Sequence, residues 1–395
     1  MHIHIVGAGV IGLTTAYYLK KKGHEVTIID KEDGVAKGSS FANGGQLSYC
    51  FSDPLGKPNL ISKFLKIVSN QDPAIKFKFP NSFDSVKWLI SFAKNCTRAA
   101  HKNNQLELAE LSLASRTLLY DLQKHINFDF DHQKNSKISL FEKEEEFLYE
   151  ENSLHQKRLL GNDNVALSIE DAIMREPGIK SLNREYIGAI FSESDEVGDT
   201  YLFCTALQKW LEDNGAKFLF DTEIKDLVKR KKKLTGLKTN NGFIEASKLV
   251  ICAGTLTGDI IESPQLITSA KGYSITLPPG SVDFKVSLTL TEQKILFTKL
   301  GNKVRITGFA DFFYNGSNDE KRLKELLTIS RDIAPDFADY DSLQFNTWSG
   351  DRPCTPSSIP YIGPSETEGV FINSGHGFYG WTLSFASGNK ISNYF

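Results

Sequence analysis

The chain has 395 residues, length enough for two or more domains of about 150 residues with a substantial core. A hydrophobic fraction of 40%, a charged fraction of 24% and a formal charge of -2 are those of a soluble globular protein and give no reason to expect nucleic acid. No apolar run approaches the ~20 residues of a spanning helix, and five scattered cysteines without a CxxC pair support neither a metal site nor a disulfide framework.

The first element is the apolar strand His2 to Val6, which begins too early to leave room for a signal peptide, so the chain reads as cytoplasmic. It runs into the turn Gly7 Ala8 Gly9 Val10 Ile11 Gly12. An Ala/Leu-rich helical stretch follows, and then a second strand, Val26 to Ile29, that stops at Asp30. Strand, glycine turn, helix, strand and acid in this order form the βαβ unit that binds a dinucleotide. Gly7 permits the tight turn, Gly9 lets backbone N–H groups approach a pyrophosphate, Gly12 lets the helix pack on the sheet, and Asp30 accepts hydrogen bonds from a ribose. The helix N-terminus faces the phosphates, where its dipole favours negative charge. The motif by itself does not choose between nicotinamide and flavin.

Next, Ser39 to Leu47 has small residues wherever backbone would need to pass close to something flat; an ordinary loop is the other reading. From Leu60 to about His125 the pattern is helical, with Leu106, Leu108, Leu111, Leu113, Leu118, Leu119 and Leu122 too dense for a one-sided surface helix. Glu142 to Glu151 is charged and reads as a solvated helix face. A second cycle begins at Ala189 Ile190 Phe191 and continues through Gly198 Asp199 Thr200 into a helix ending at Gly215. A strand, Lys217 to Phe220, and a hairpin, Val228 to Lys238, with a wet basic tip come after it. Lys248 to Gly254 is a buried strand ending on small residues, a second place for a sheet edge to meet a cofactor, with Cys252 as a small core hydrophobe. Residues 270–315 alternate apolar and polar positions, as an antiparallel sheet does. The end of the chain returns to glycine-rich turns: Trp348 to Pro353, a strand at Tyr361 Ile362, Val370 to Asn373, then Gly375 to Thr382 and a final helix.

Together these motifs resemble the glycine oxidase and D-amino acid dehydrogenase group of FAD-dependent oxidoreductases, most closely the dehydrogenases. The resemblance implies an α/β fold: a Rossmann-like FAD-binding domain of the glutathione-reductase type with an inserted α+β substrate domain on an antiparallel sheet. Residues 1–59, 190–265 and 345–395 are expected in the first, 60–189 and 266–344 in the second. The implied cofactor is non-covalent FAD. The implied reaction is oxidation of a small amino acid, a D-amino acid by the closer match, with hydride passing from the α-carbon to flavin N5 and the imino acid hydrolysing to a 2-oxo acid and ammonia. Secondary amines such as hydroxyproline or N-methylated amino acids are the alternative.

By the same resemblance Gly7, Gly9, Val10, Ile11, Gly12, Asp30 and Lys31 hold the ADP half. Ser39, Ser40, Asn43, Gly44, Gly45, Gln46 and Leu47 run along the ribityl chain and ring. Ile224 makes the adenine-side contact, Ala253 and Gly254 close over the pyrophosphate, and Gly375, Gly377, Phe378, Gly380, Trp381 and Thr382 lie at the pyrimidine end. The chain departs from the dehydrogenase pattern at Gly44, where they commonly read alanine, at Asp351 and Cys354, and at Phe378 and Tyr379. Cys354 is near the flavin-end motifs.

On the substrate side, Arg352 offers a planar fork that can grip a carboxylate, a structural ion pair being its other reading. His376 and Tyr379 are candidates for binding the amine or carboxylate, with Tyr273 and Tyr49 weaker ones, and wall-filling is the alternative for each. No obligatory base is nominated. The electron acceptor implied is a quinone or another redox carrier. Any membrane contact is peripheral, at the inner face: aromatics among residues 60–95, near Lys63, Lys66, Lys76 and Lys78, either pack inward or form a docking surface.

Overall fold

The computed structural model describes residues 1–50, 53–58, 60, 72–79, 82–261, 266–314 and 319–395. Strand His2–Val6 lies inside a six-stranded sheet in the order Tyr361–Pro364, Val370–Ser374, Leu249–Ile251, His2–Val6, Glu25–Ile29, Lys217–Leu219. All neighbours are parallel except the antiparallel pair at the Tyr361–Pro364 edge. The inner strands are buried along nearly their whole length because both faces are covered. On one face lie helices Val10–Lys21, Thr200–Asp213 and Gly380–Ser392, which share a core of Leu13, Tyr17, Phe203, Leu207 and Phe385. On the other lies a three-stranded sheet whose Leu227, Leu234 and Leu237 pack against Val6, Ile29 and Ile251.

The first and last helices meet closely. A Cβ on Gly388 would stand 2.9 Å from the Thr14 carbonyl carbon, and Thr14 Oγ1 donates to the Ser384 carbonyl at 3.0 Å. This contact joins the two ends of the chain over one sheet and brings the C-terminal loop to the dinucleotide turn.

Among the described residues the second large sheet has nine strands and is mostly antiparallel. Its long strand Thr268–Leu277 pairs with Lys303–Phe312 on one side and Asn346–Cys354 on the other. Helix Asp319–Ile333 covers it, burying Leu326 and Ile333 in its core. The antiparallel sheet expected over 270–315 is thus present in the described part of that range, to Phe312.

Two expectations need correction. Gly188–Ser192, expected to open a second cycle of the nucleotide unit, pairs instead with Lys137–Phe141 and Val165–Leu167 in the nine-stranded sheet. Its five residues are all buried, so its apolar run mimicked a parallel strand. Asn346–Cys354 also pairs there, along Thr268–Leu277. The charged stretch at 142–151 is a largely exposed helix face, as expected, apart from Glu150, which is 5% exposed and pairs with Lys57 at 2.6 Å and Lys157 at 3.0 Å.

Candidate active site

Gly7 holds φ at 106°, and a Cβ there would stand 2.4 Å from the Cys252 carbonyl oxygen. A Cβ on Gly12 would stand 1.8 Å from the Gly7 carbonyl oxygen, so only glycine lets the helix sit this close to the strand. Helix Val10–Lys21 has no side-chain cap at Gly9. The N–H groups of its first turn, which have no intrahelical acceptors, are thus left without a side-chain cap at Gly9; one of them, on Val10, donates to Ser40 Oγ at 3.1 Å. The Asp30 carboxylate accepts from the N–H groups of Ala8 at 2.5 Å and Glu32 at 2.9 Å, while burial pushes its pKa above the ordinary carboxylate value.

Side chains from distant parts of the fold hold the Ser39 to Leu47 segment. Asn43 Oδ1 accepts from Gly45 N–H and from the Thr200 hydroxyl, both at 2.9 Å. Arg305, paired with Asp199 at 2.9 Å, reaches the Asn43 carbonyl at 3.4 Å. Gly45, at φ 70°, accepts from Gly198 N–H at 2.8 Å. Leu296 accounts for Gly44: a Cβ there would come within 2.5 Å of its Cδ2.

A cavity of about 1700 Å³ joins these segments. Every cofactor or substrate candidate named from the sequence lines it except Gly12, Leu47, Tyr49 and Gly375. Gly12 serves the helix packing just described, and Leu47 is wholly buried in the core. Tyr49 is buried with its hydroxyl 3.5 Å from Glu196. Gly375, at φ 90°, lies against Thr355.

Arg352 lies on the cavity wall with its guanidinium 4.8 Å from the Phe378 ring, and its Nη1 donates to the Phe309 carbonyl at 3.0 Å. Gly272 makes the room: a Cβ there would fall 2.1 Å from Arg352 Nη1. Asp351 does not pair with its neighbour but accepts from the Ser269 hydroxyl. No carboxylate among the described residues forms an ion pair with Arg352, and enclosure by protein lowers its pKa.

The other candidates differ in what is left of their polar atoms. His376 is 2% exposed, its Nε2 has no partner among the described residues, and burial lowers its pKa to about 3, so it is neutral near pH 7. The Tyr379 hydroxyl is already used twice, donating to the Asp53 carbonyl at 2.8 Å and accepting from the Asp53 N–H at 3.0 Å. Tyr273 donates to Asp311 at 2.9 Å, and Asp311 is paired with the buried Arg322 at 2.8 Å.

Sequence reading did not single out Lys137, Asp53, Lys57 or Glu150, which also line the cavity. Lys137 heads the strand Lys137–Phe141, whose other residues are apolar but for Ser139, a visible signal. It is 4% exposed, lies 3.3 Å from Ser48 Oγ and 3.9 Å from Asp195, and burial lowers its pKa while raising that of Asp195 to about 6. Lys157 bridges Asp53 at 2.8 Å and Glu150 at 3.0 Å, a network that no sequence spacing announces.

Residues 2–393 match the family described as DAO, FAD dependent oxidoreductase. The chain is similar to a D-amino acid dehydrogenase of Neisseria meningitidis serogroup C, 32% identical over 393 residues that cover 98% of this chain and 94% of the relative. Its fold resembles that of a glycine oxidase from Bacillus cereus, with a TM-score of 0.72 at 19% identity, covering 100% of this chain and 94% of that one. It also resembles an L-proline dehydrogenase from P. horikoshii, with a TM-score of 0.71 at 19% identity, covering 99% and 92%.

Proposed function

We propose that this chain, which belongs to the family of FAD-dependent oxidoreductases, acts on a small D-amino acid and releases an imino acid that water hydrolyses to a 2-oxo acid and ammonia. Oxidation of an amino acid or amine with FAD is the family-level activity; the stereochemistry and size of the substrate and the residue roles are our reading.

The residues fit FAD. The Gly7 to Gly12 cradle has no room for a Cβ at either end, the helix behind it has no side-chain cap, and an acid stands at the end of the second strand. Bound FAD supplies the electron sink for amine oxidation. Gly7, Gly9 and the first helical turn would hold its pyrophosphate, Asp30 a ribose, and the Ser39 to Gln46 segment and the Gly377 to Thr382 loop its ring system.

In this reading Arg352 grips the substrate carboxylate with its planar fork, oriented by the Phe309 carbonyl and the Phe378 ring. His376, neutral and unpartnered at Nε2, offers one hydrogen bond on the cavity wall. Helix Gly380–Ser392 has no side-chain cap at its start and presents backbone donors, which favour negative charge building up opposite them. Tyr379 and Tyr273 shape the wall, since both hydroxyls are engaged. Electrons leave to a quinone or another redox carrier, and contact with a membrane is peripheral.

The observation that carries this reading is Arg352, a cation on the cavity wall without an acidic partner among the described residues. The test is anaerobic bleaching of the bound flavin against a panel of D-, L-, cyclic and N-methylated amino acids. Fastest bleaching by a small D-amino acid is expected; fastest bleaching by a secondary amine, or by an amine without a carboxylate, rejects it.

A further inference from the structure

Helix Phe83–Asn95 is apolar on two sides. On its inner side Trp88, Leu89 and Phe92 pack with Phe77, Phe312 and Cys354, and Trp88 Nε1 donates to the Cys354 carbonyl at 2.8 Å. Phe312 and Cys354 line the active-site cavity, so the helix backs its wall. Its outer side carries Phe83, Val86 and Ile90, which are 74%, 42% and 56% exposed, and Phe79 just before the helix is 73% exposed. Positions three and four apart share one helix face, so the three helical residues form a single row.

Cations flank that row. Lys87 and Lys94 stand beside it on the same helix, with Lys78 before it and Arg98 after it, while Asp84 is the helix's only acid. The Lys87 ammonium lies 4.2 Å from the centre of the Phe83 ring and 3.4 Å from Asp84, its exposed partner one turn back, so it borders the apolar surface directly. Lys76 is turned to Glu325 at 3.2 Å, and Lys63 and Lys66 lie outside the described residues.

Single exposed hydrophobics are ordinary, but three in one helical row, with Phe79 exposed just before the helix, mark an interaction surface. An apolar row bordered by lysine and arginine suits the boundary between acyl chains and anionic headgroups. A second copy of this chain suits it poorly, because a twofold contact sets the same cations against one another.

We propose that Phe79 and helix Phe83–Asn95 dock the protein on an anionic lipid surface, with the helix that backs the active-site cavity lying against the bilayer. The proposal specifies the peripheral membrane contact read above and does not depend on the substrate assigned to Arg352.

The experiment is sedimentation of the yellow holoenzyme with vesicles of phosphatidylcholine alone or with about one third phosphatidylglycerol. Expected is at least tenfold stronger partitioning onto the anionic vesicles, weakening as salt rises. The double variant Phe83→Ser/Ile90→Ser should lose at least tenfold of that binding, and Lys87→Gln, Lys94→Gln and Arg98→Gln about fivefold each. Turnover with a soluble acceptor should not change in any of them, since none of these side chains lines the cavity. Absence of binding to both vesicles overturns the proposal, and so does binding that the double variant leaves intact. A wild-type dimer that the double variant dissociates also overturns it, by assigning the face to a second copy. The vesicle measurement requires no substrate, so a failed amine panel and a failed docking surface are read separately.

Discussion

Phe309 holds its carbonyl 3.0 Å from Arg352 Nη1 by adopting a φ of 66°, a backbone conformation rare for a residue with a large side chain. The register explains how. Lys271 opposes Asp311 and Tyr273 opposes Gly308, so Phe309 and Ala310 together face the single residue Gly272 in a β-bulge. The buried Arg322 guanidinium lies 4.1 Å over the Phe309 ring and is fixed to Asp311, which accepts in turn from Tyr273. A bulge, a glycine and a buried ion pair thus set the position of one guanidinium.

If that guanidinium binds the substrate carboxylate, Arg352→Ala should lower kcat/KM on an amino acid at least about thirtyfold while the protein stays yellow, since unpairing a buried charge costs roughly 2–5 kcal/mol. Gly272→Ala places a methyl where Nη1 now stands and should raise KM without releasing FAD. Unchanged kinetics in a folded, yellow Arg352→Ala protein would remove Arg352 from the site.

Tyr379→Phe deletes both hydrogen bonds to the Asp53 backbone. The expected result is a stability loss of roughly 1–3 kcal/mol in urea unfolding, with KM changed less than about threefold. A raised KM at unaltered stability would instead give the hydroxyl to the substrate.

Burial pushes the pKa of His376 down to about 3 in the folded protein, from the 6.5 of an unburied imidazole in the unfolded chain. The unfolded state therefore binds more protons between those values. Stability is full above about pH 6.5 and falls as pH drops toward 3, by at most about 1.4 kcal/mol per pH unit from this group. His4, lowered to about 4 by burial, acts with the same sign. His376→Gln should therefore flatten, without abolishing, the loss of stability between pH 6 and pH 4 in urea titrations; an unchanged slope would show that the imidazole is protonated in the folded state.

FAD should be released into the supernatant by acid precipitation. Cys354 is 3% exposed and burial pushes its thiol up to about 12, so it is not a thiolate at neutral pH and makes a poor tether. Colour retained in the pellet of wild type but not of Cys354→Ser would reverse this.

With saturating amine, turnover should be faster with a soluble quinone analogue than with dissolved oxygen. Faster turnover on oxygen with stoichiometric hydrogen peroxide would make the protein an oxidase.

The dinucleotide turn was legible in the sequence because its requirements are local. Within Gly7 to Asp30, glycine spacing, strand length and the terminal acid follow from backbone sterics over a few tens of residues. The Ser39 to Gln46 segment and the Gly377 to Thr382 loop both line the cavity; small residues marked the first in the sequence, and the family resemblance the second. The state of each side chain in the cavity was decided elsewhere. Tyr379 is occupied by a residue 326 positions away, Arg352 is held by a carbonyl 43 positions back, and Lys157 neutralises Asp53 from 104 positions away. Such pairings depend on register between strands and on which element lies over which, and a sequence specifies these only through the packing of the whole chain. The two strands that changed sheets illustrate it: an apolar run records that a strand is buried and carries no mark of the sheet that buries it.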